Sequence, residues 1–187
     1  TAAEIAVVGR SNVGKSSIIN ALANCKDLAK TSATPGRTQL INLFSMGEPP
    51  EGWEAGGPVI TSAVVDLPGY GYSSAPKRIR DAWQPMIEGY LLGRRELAMI
   101  VVLVDGEIGP TKLDAQMLAW LRDQERPFSV VATKEDKVKR SRLVRRRAEV
   151  AAGCELPVGE VLWVSAAKGT GVDQLRRATL RWLAAVD

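Results

Sequence analysis

Residues 9–16 combine two glycines, a lysine and a serine at a spacing that suits one kind of chemistry. The pattern G-x-x-x-x-G-K-[ST] is matched by Gly9, Gly14, Lys15 and Ser16. A loop of this type surrounds phosphate oxygens with backbone amides. The lysine would place a positive charge on the β and γ phosphates, and the serine hydroxyl would bind Mg²⁺. A glycine-rich turn that only connects a strand to a helix would not need the lysine, so the pattern predicts a polyphosphate ligand.

The residues around this pattern have the periodicity that a phosphate-binding loop requires. "EIAVV" before it predicts a strand, and "SSIINAL" after it predicts a helix whose positive dipole end would face the phosphates. We therefore expect the nucleotide to be bound by the whole segment: Gly9, Arg10, Ser11, Asn12, Val13, Gly14, Lys15, Ser16 and Ser17.

A second candidate motif follows the third apolar run, where "VVDLPGYG" contains the pattern D-x-x-G. Asp66 could hold Mg²⁺ through water, and the amide of Gly69 could contact the γ phosphate. An aspartate after a strand is often only a turn former. Its position after the phosphate-binding loop favours the role in nucleotide binding.

Two further motifs distinguish guanine from adenine. "TKED" follows the fifth apolar run and "SAAK" follows the sixth. The Asp136 carboxylate can accept from both N1–H and the exocyclic amine of guanine, a pair of donors that adenine does not offer. T-K-x-D alone could be a solvated charge cluster, but its order after two phosphate motifs favours base binding. The predicted base-binding residues are Thr133, Lys134, Asp136, Ser165, Ala166 and Ala167.

In the predicted site, Lys134 would lay its aliphatic stem along the base, and the backbone amide of Ala166 would donate to the guanine O6. These motifs stand at the carboxyl ends of predicted strands, where ligands bind in open α/β sheets.

Strands and helices must alternate to position these motifs, and the apolar periodicity predicts that they do. Strands are predicted near 4–8, 40–46, 59–66, 98–104, 127–132 and 160–164, and helices near 15–24, 77–92, 111–124, 140–152 and 171–185. The glycine- and proline-rich loop between the second and third strands favours an antiparallel hairpin. We expect an α/β fold with a mostly parallel six-stranded sheet, one antiparallel strand and helices on both faces.

Two helices show apolar faces that we expect to pack on the sheet. In the third helix this face comprises Leu113, Met117, Trp120 and Leu121. In the fifth it comprises Val172, Leu175, Thr179 and Leu183.

Composition narrows the function classes. The 187 residues include no histidine, which excludes Ser-His-Asp and Cys-His catalysis. Cys25 and Cys154 are too few for a disulfide framework or the usual zinc site. The apolar run 98–104 is much too short to span a bilayer, and no signal peptide is recognisable, so we expect a soluble cytoplasmic protein with no membrane partner.

A basic segment, "KVKRSRLVRRR", follows the base-binding motif at residues 137–147. Its seven basic residues are Lys137, Lys139, Arg140, Arg142, Arg145, Arg146 and Arg147. One interpretation is a solvated helix face with Leu143 and Val144 turned inward. The other is a surface for nucleic-acid phosphates, which the net charge of +4 favours.

Five stretches together resemble a known family: "GRSNVGKSSIINAL" (9–22), "TSATPGRTQLINLF" (31–44), "DLPGYGYSSAP" (66–76), "ATKEDK" (132–137) and "SAAKGTG" (165–171). They are similar to translation-factor-type GTPases and, more narrowly, to the EngB (YihA/YsxC) family of bacterial ribosome-biogenesis GTPases. The resemblance implies a single-domain P-loop GTPase fold over residues 1–187. It also implies Mg²⁺-dependent hydrolysis of GTP to GDP by a monomer that acts as a switch on the pre-50S particle and its rRNA, with a role in cell division and septation.

The resemblance also assigns residues in the segment 31–39, which would order only around a bound triphosphate. Thr38 would be the threonine that closes on Mg²⁺ and the γ phosphate, with Gly36 and Arg37 beside the nucleotide. A loop hydroxyl that caps its neighbours is the alternative for this threonine. The implied metal ligands are Ser16, Thr38 and, through water, Asp66.

Two residues depart from common GTPase patterns, and a third, Asn12, resembles the residue that cation-dependent GTPases have at its position. Tyr70 stands where many GTPases have a water-orienting glutamine, which predicts slow hydrolysis and leaves the catalytic residue unassigned. Thr133 replaces a commoner asparagine and would weaken a contact between loops. Asn12 would either hold K⁺ beside the phosphates or only brace the loop.

The alternative function is a nucleotide-gated RNA-binding module with negligible turnover.

Overall fold

A computed structural model describes residues 3–24, 28–29, 41–45, 62–70 and 77–185, with the backbone alone for residues 77–84. The strands are β1 (Ala3–Gly9), β2 (Asn42–Ser45), β3 (Ser62–Asp66), β4 (Leu97–Asp105), β5 (Phe128–Thr133) and β6 (Val161–Trp163). The helices are α1 (Lys15–Leu22), α2 (Lys77–Gly93), α3 (Lys112–Asp123), α4 (Leu143–Gly153) and α5 (Val172–Leu183). Each lies where the periodicity predicts an element of its type.

The six strands form one sheet in the order β2-β3-β1-β4-β5-β6. β2 runs antiparallel to β3, and each other neighbouring pair is parallel. The predicted sheet, with its one antiparallel strand, is confirmed. Because the parallel strands share a direction, their carboxyl ends meet at one edge of the sheet, where the motifs lie.

Helices cover both faces of this sheet, as predicted. Along β1, Ala6 and Val8 belong to the hydrophobic core that lies against α2, α3 and α4. Ile5 and Val7 belong to the core that lies against α1 and α5. Alternate residues of a strand point to opposite faces, so an unbroken apolar strand such as β1 is buried on both sides.

The predicted face of α3 is confirmed except at its first residue. Leu121 is buried, and Met117 and Trp120 pack partly buried against the core. Leu113 is 42% exposed, while Asp114 and Leu118 are buried. The Asp114 carboxylate accepts hydrogen bonds from the backbone N–H and the hydroxyl of Thr111, each 2.7 Å long. This pairing at the first turn turns Asp114 to the protein interior, and the preceding residue therefore faces solvent.

The α-helix in the basic segment begins later than predicted, at Leu143, after a 3₁₀ turn over Arg140–Arg142. Leu143 packs partly buried against the core, as the solvated-face interpretation requires. Val144 does not turn inward: it is 84% exposed. The helix presents Val144 about 100° around its axis from Leu143, which places it on the outer side.

The predicted face of α5 is confirmed, since Val172, Leu175, Thr179 and Leu183 are all buried. Among the described residues, no helix has both the length and the apolar character needed to cross a membrane.

Candidate functional site

The glycine-rich loop connects the end of β1 to the start of α1. A Cβ atom added to Gly9 would lie 2.9 Å from the side chain of Val13, so the chain passes too closely for any larger residue. Gly14 caps α1 with a φ of +100°, a left-handed conformation that glycine adopts without strain. These two positions fix the path of the loop and bring it to the first turn of α1.

Lys15 and Asp66 are joined across the site. The lysine ammonium forms an ion pair with Asp66 Oδ1, and both residues are buried. Burial raises the pKa of Asp66 above its ordinary value, and the Lys15 charge opposes this shift. The pair places a lysine and a carboxylate from two different motifs at one point.

The D-x-x-G segment lies directly against the glycine-rich loop. The backbone N–H of Tyr70 donates to the Gly9 carbonyl over 3.1 Å, and the N–H of Ser11 donates to the Tyr70 carbonyl over 3.2 Å. A Cβ atom on Gly69 would lie 3.1 Å from the Ser11 nitrogen. Glycine at this position therefore permits the close approach of the two loops.

The Tyr70 side chain contacts α3. Its hydroxyl donates to Asp114 Oδ1 over 2.7 Å, and Arg10 Nε lies 3.3 Å from Asp114 Oδ2. Burial, together with the Asp114 carboxylate, raises the pKa of Tyr70 well above its ordinary value. Tyr70 is therefore a neutral hydrogen-bond donor, and Asp114 connects both phosphate motifs to α3.

Thr133 ends β5 and connects the base-binding segment to the glycine-rich loop. Its buried hydroxyl donates to the Val13 carbonyl over 2.6 Å. The contact between loops, which we expected to be weakened by the absence of asparagine, is thus made by the threonine hydroxyl.

Lys134 adopts a left-handed backbone conformation with a φ of 56°. Its ammonium lies 2.7 Å from Asp105 Oδ2, at the end of β4. Asp105 is 1% exposed, and its other oxygen accepts the N–H groups of Glu107 and Ile108. This carboxylate holds the lysine beside the strand ends.

Asp136 and Ser165 join the two predicted base-binding motifs. The Ser165 hydroxyl donates to Asp136 Oδ1 over 2.6 Å and accepts from the Lys168 backbone N–H over 3.1 Å. Ser165 is buried, whereas Asp136 is exposed. The serine therefore orients a carboxylate whose second oxygen is open to a ligand.

The structure brings most of the predicted residues to the carboxyl ends of the parallel strands. Gly36, Arg37 and Thr38 lie outside the described residues. Asp105 and Asp114 were not among the residues predicted from the sequence. Each had a signal: Asp105 ends an apolar strand as Asp66 does, and Asp114 stands three residues after Thr111 in a helix-capping pattern.

Comparison with known proteins identifies the family. A family model described as "50S ribosome-binding GTPase" matches residues 4–134. The "Probable GTP-binding protein EngB" of Citrifermentans bemidjiense is 44% identical over 170 residues, which cover 91% of this chain and 74% of the relative. The chain belongs to the EngB family of 50S ribosome-binding GTPases. It is accordingly a GTP-binding protein and a GTPase.

Other relatives agree with this membership of the EngB family. The protein of the same name from Rhizobium meliloti is 45% identical over 179 residues, covering 94% of this chain and 81% of the relative. A solved structure described as "Crystal structure of a probable GTP-binding protein engB" superposes with a TM-score of 0.72 at 22% identity. That match covers 97% of this chain and 99% of the solved one and shows that the two share a fold.

Proposed function

We propose that this GTPase is a switch in the assembly of the large ribosomal subunit, binding a pre-50S particle in its GTP state and leaving it after hydrolysis. GTP would lie along the strand ends, with its phosphates on the glycine-rich loop and its base against Asp136. The segments 31–39 and 66–80 would contact the triphosphate and form part of the surface that meets the particle.

The phosphate end of the site fits a magnesium ion. Asp66 is buried at the end of β3 and contacts Lys15, the residue that precedes Ser16. Mg²⁺ is commonly held by one or two protein oxygens together with substrate phosphates, and a hydroxyl with a carboxylate is such a set. Ser16 and Asp66 would hold the ion, which would neutralise phosphate charge, while Lys15 would turn from Asp66 to the β and γ phosphates.

The observation that carries the ribosomal role is the unequal pairing of charges in the basic segment. Arg145 and Arg146 share Glu149, and Arg147 pairs with Glu135. The other four cations are Lys137, Lys139, Arg140 and Arg142. They are exposed and form no ion pair within the described part of the chain. Exposed cations without an ion pair favour a polyanion such as the RNA backbone.

Co-sedimentation with large-subunit particles tests this assignment. The double variant Arg140→Ala/Arg142→Ala should bind particles more weakly than the unchanged protein in the presence of a non-hydrolysable GTP analogue. Its control is Lys112→Ala/Arg181→Ala, which removes the same charge from exposed residues of α3 and α5. Equal binding by both double variants, or equal binding in GDP and in the analogue, would contradict the proposal.

Hydrolysis by the isolated protein should be slow, on the order of 10⁻⁴ to 10⁻² s⁻¹, as in GTPases without an external activator. The hydrogen bond from the Tyr70 hydroxyl to Asp114 supports this expectation of slow hydrolysis. Single-turnover rates with and without large-subunit particles test the alternative function. Stimulation by particles supports the switch, and turnover that stays negligible with them supports the nucleotide-gated RNA-binding module.

A further inference from the structure

An arginine of the basic segment reaches back to the base-binding motif. Arg147 Nη2 on α4 lies 3.0 Å from Glu135 Oε1, and the Glu135 side chain is only 12% exposed. Glu135 stands between Lys134 and Asp136, the two predicted guanine-binding side chains of this motif. A change at the ion pair therefore acts on the backbone that carries both of them.

The same arginine contacts the strand that leads to the second base-binding motif. The Arg147 guanidinium carbon lies 5.7 Å from the centre of the Trp163 ring, within range of a cation–π interaction. Trp163 is 6% exposed and precedes Ser165 by two residues. A Cβ atom on Gly106 would lie 2.7 Å from this ring, so the close packing around the indole fixes its position.

The two base-binding motifs also bind each other directly. The Glu135 backbone N–H donates to the Val164 carbonyl over 3.3 Å, and Ser165 donates to Asp136. These hydrogen bonds join the segment that contains Glu135 to the segment that follows Trp163. Arg147 contacts Glu135 in the first and Trp163 at the start of the second. The guanidinium therefore lies at the junction of the two segments.

The ion pair has little support from other groups. Glu135 Oε2 and Arg147 Nε are buried and have no hydrogen-bond partner in the described part of the structure. A partly buried carboxylate that loses its cation is left with an uncompensated desolvation cost. Removing the arginine should therefore move Glu135 toward water and displace its neighbours in the chain.

From these contacts we propose that Arg147 is a positioning residue for guanine recognition, holding the two base-binding segments so that Asp136 meets the base. The inference rests on the assignment of Asp136 in the proposed function. It differs from that function in giving one cation of the basic segment a role in nucleotide selection.

The test compares Arg147→Ala with Arg145→Ala, which removes the same charge from a 79% exposed position on the same helix. Affinities are measured for GDP and for inosine diphosphate, which lacks the exocyclic amine that Asp136 would accept. Arg147→Ala should lower GDP affinity about tenfold, because hydrogen bonds to a charged group would be misaligned. It should lower inosine diphosphate affinity less, so that discrimination falls. Arg147→Lys should restore part of the discrimination between the two nucleotides, and Arg145→Ala should leave both affinities unchanged.

An equal loss of affinity for both nucleotides would identify a structural brace and overturn the inference, as would no loss for either. If Arg147→Ala does not fold, Glu135→Gln breaks the same ion pair with little change of shape and should reduce discrimination in the same way. A folded Glu135→Gln with unchanged discrimination also overturns the inference.

Asp136→Asn separates the two proposals. If it leaves the preference for guanine intact, the site assignment itself is wrong. If it removes that preference while Arg147→Ala does not, only the positioning role fails.

Discussion

Tyr70 and Asp114, 44 residues apart in the chain, are joined by a hydrogen bond of 2.7 Å from the tyrosine hydroxyl to the carboxylate. The other carboxylate oxygen accepts from Thr111 and lies near Arg10. The residue after D-x-x-G is therefore bound to the start of α3 by a group that stays protonated, since burial raises the pKa of Tyr70. The proton of its hydroxyl is donated to a buried carboxylate of α3.

Replacing Tyr70 by Phe should lower the free energy of unfolding by about 1 to 2 kcal/mol, because buried Asp114 loses one donor. The single-turnover rate of GTP hydrolysis should stay unchanged, since the hydroxyl is not expected to contact the attacking water. Urea unfolding and single-turnover kinetics give the two quantities. A large loss of hydrolysis with unchanged stability would show that the hydroxyl acts in the reaction.

Replacing Asp136 by Asn should move the nucleotide preference from GTP toward xanthosine triphosphate. The amide cannot accept from N1–H and the exocyclic amine together, and we expect GTP affinity to fall by at least about a hundredfold. Competition binding with both nucleotides measures the change. If the GTP affinity of this variant is unchanged, the guanine base does not bind to Asp136.

Thr133→Val keeps the shape of the side chain but leaves the Val13 carbonyl without its hydroxyl donor. We expect unfolding free energy to fall by about 1 to 2 kcal/mol, with weaker GDP binding, because the glycine-rich loop loses its contact with β5. Thr133→Ser is the control, since it retains the hydroxyl and should stay close to the unchanged protein. If Thr133→Val and Thr133→Ser have equal GDP affinity and equal stability, the hydrogen bond to the Val13 carbonyl contributes to neither.

Glu4 provides a test of pH dependence away from the site. Burial alone would raise its pKa, but hydrogen bonds from Arg94 and Tyr90 outweigh burial and lower it below its ordinary value of 4.5. The stabilisation is therefore present above about pH 4.5 and is lost as the pH falls through the lower, folded-state value. Glu4→Gln should cost about 1 to 3 kcal/mol at pH 7 and progressively less toward pH 3.

The control for Glu4→Gln is Glu96→Gln, which removes a second carboxylate near the same arginine. Glu96 Oε2 lies 3.8 Å from Arg94 Nε, and the Glu96 side chain is 28% exposed. A surface ion pair of this kind is worth under about 1 kcal/mol. Urea unfolding as a function of pH measures both variants. A Glu4→Gln deficit that stayed constant from pH 7 to pH 3 would contradict the assigned titration.

Asn12 tests the proposed role of potassium. The residue is exposed in the glycine-rich loop and adopts a φ of 65°. If its oxygen helps to hold K⁺ beside the phosphates, GTP hydrolysis should be faster in KCl than in NaCl, and Asn12→Ala should remove the difference. Equal rates in the two salts for the unchanged protein would leave Asn12 with only a bracing role.

The local elements and the order of the motifs were determined by the sequence. Apolar periodicity predicts each strand and helix, and the carboxyl ends of parallel strands meet at one edge, so motifs that follow strands must gather there. The errors at Leu113 and Val144 concern which residues of a first helical turn face the core. At α3 this is set by the hydrogen bonds between Thr111 and Asp114, which turn Asp114 inward. At α4, adjacent residues lie about 100° apart around the axis, so Leu143 and Val144 do not share one face.

Only the tertiary structure decided which side chains from separate elements meet. Lys134 lies beside Asp105, 29 residues away, and Tyr70 binds Asp114. The pairing of Arg147 with Glu135 depends on how α4 packs beside the last two strands. Contacts between elements follow from packing angles and side-chain volumes, which no short stretch of sequence encodes. The four motifs therefore predicted the ligand, and the packing of α3 and α4 determined how the residues predicted to bind it are held in place.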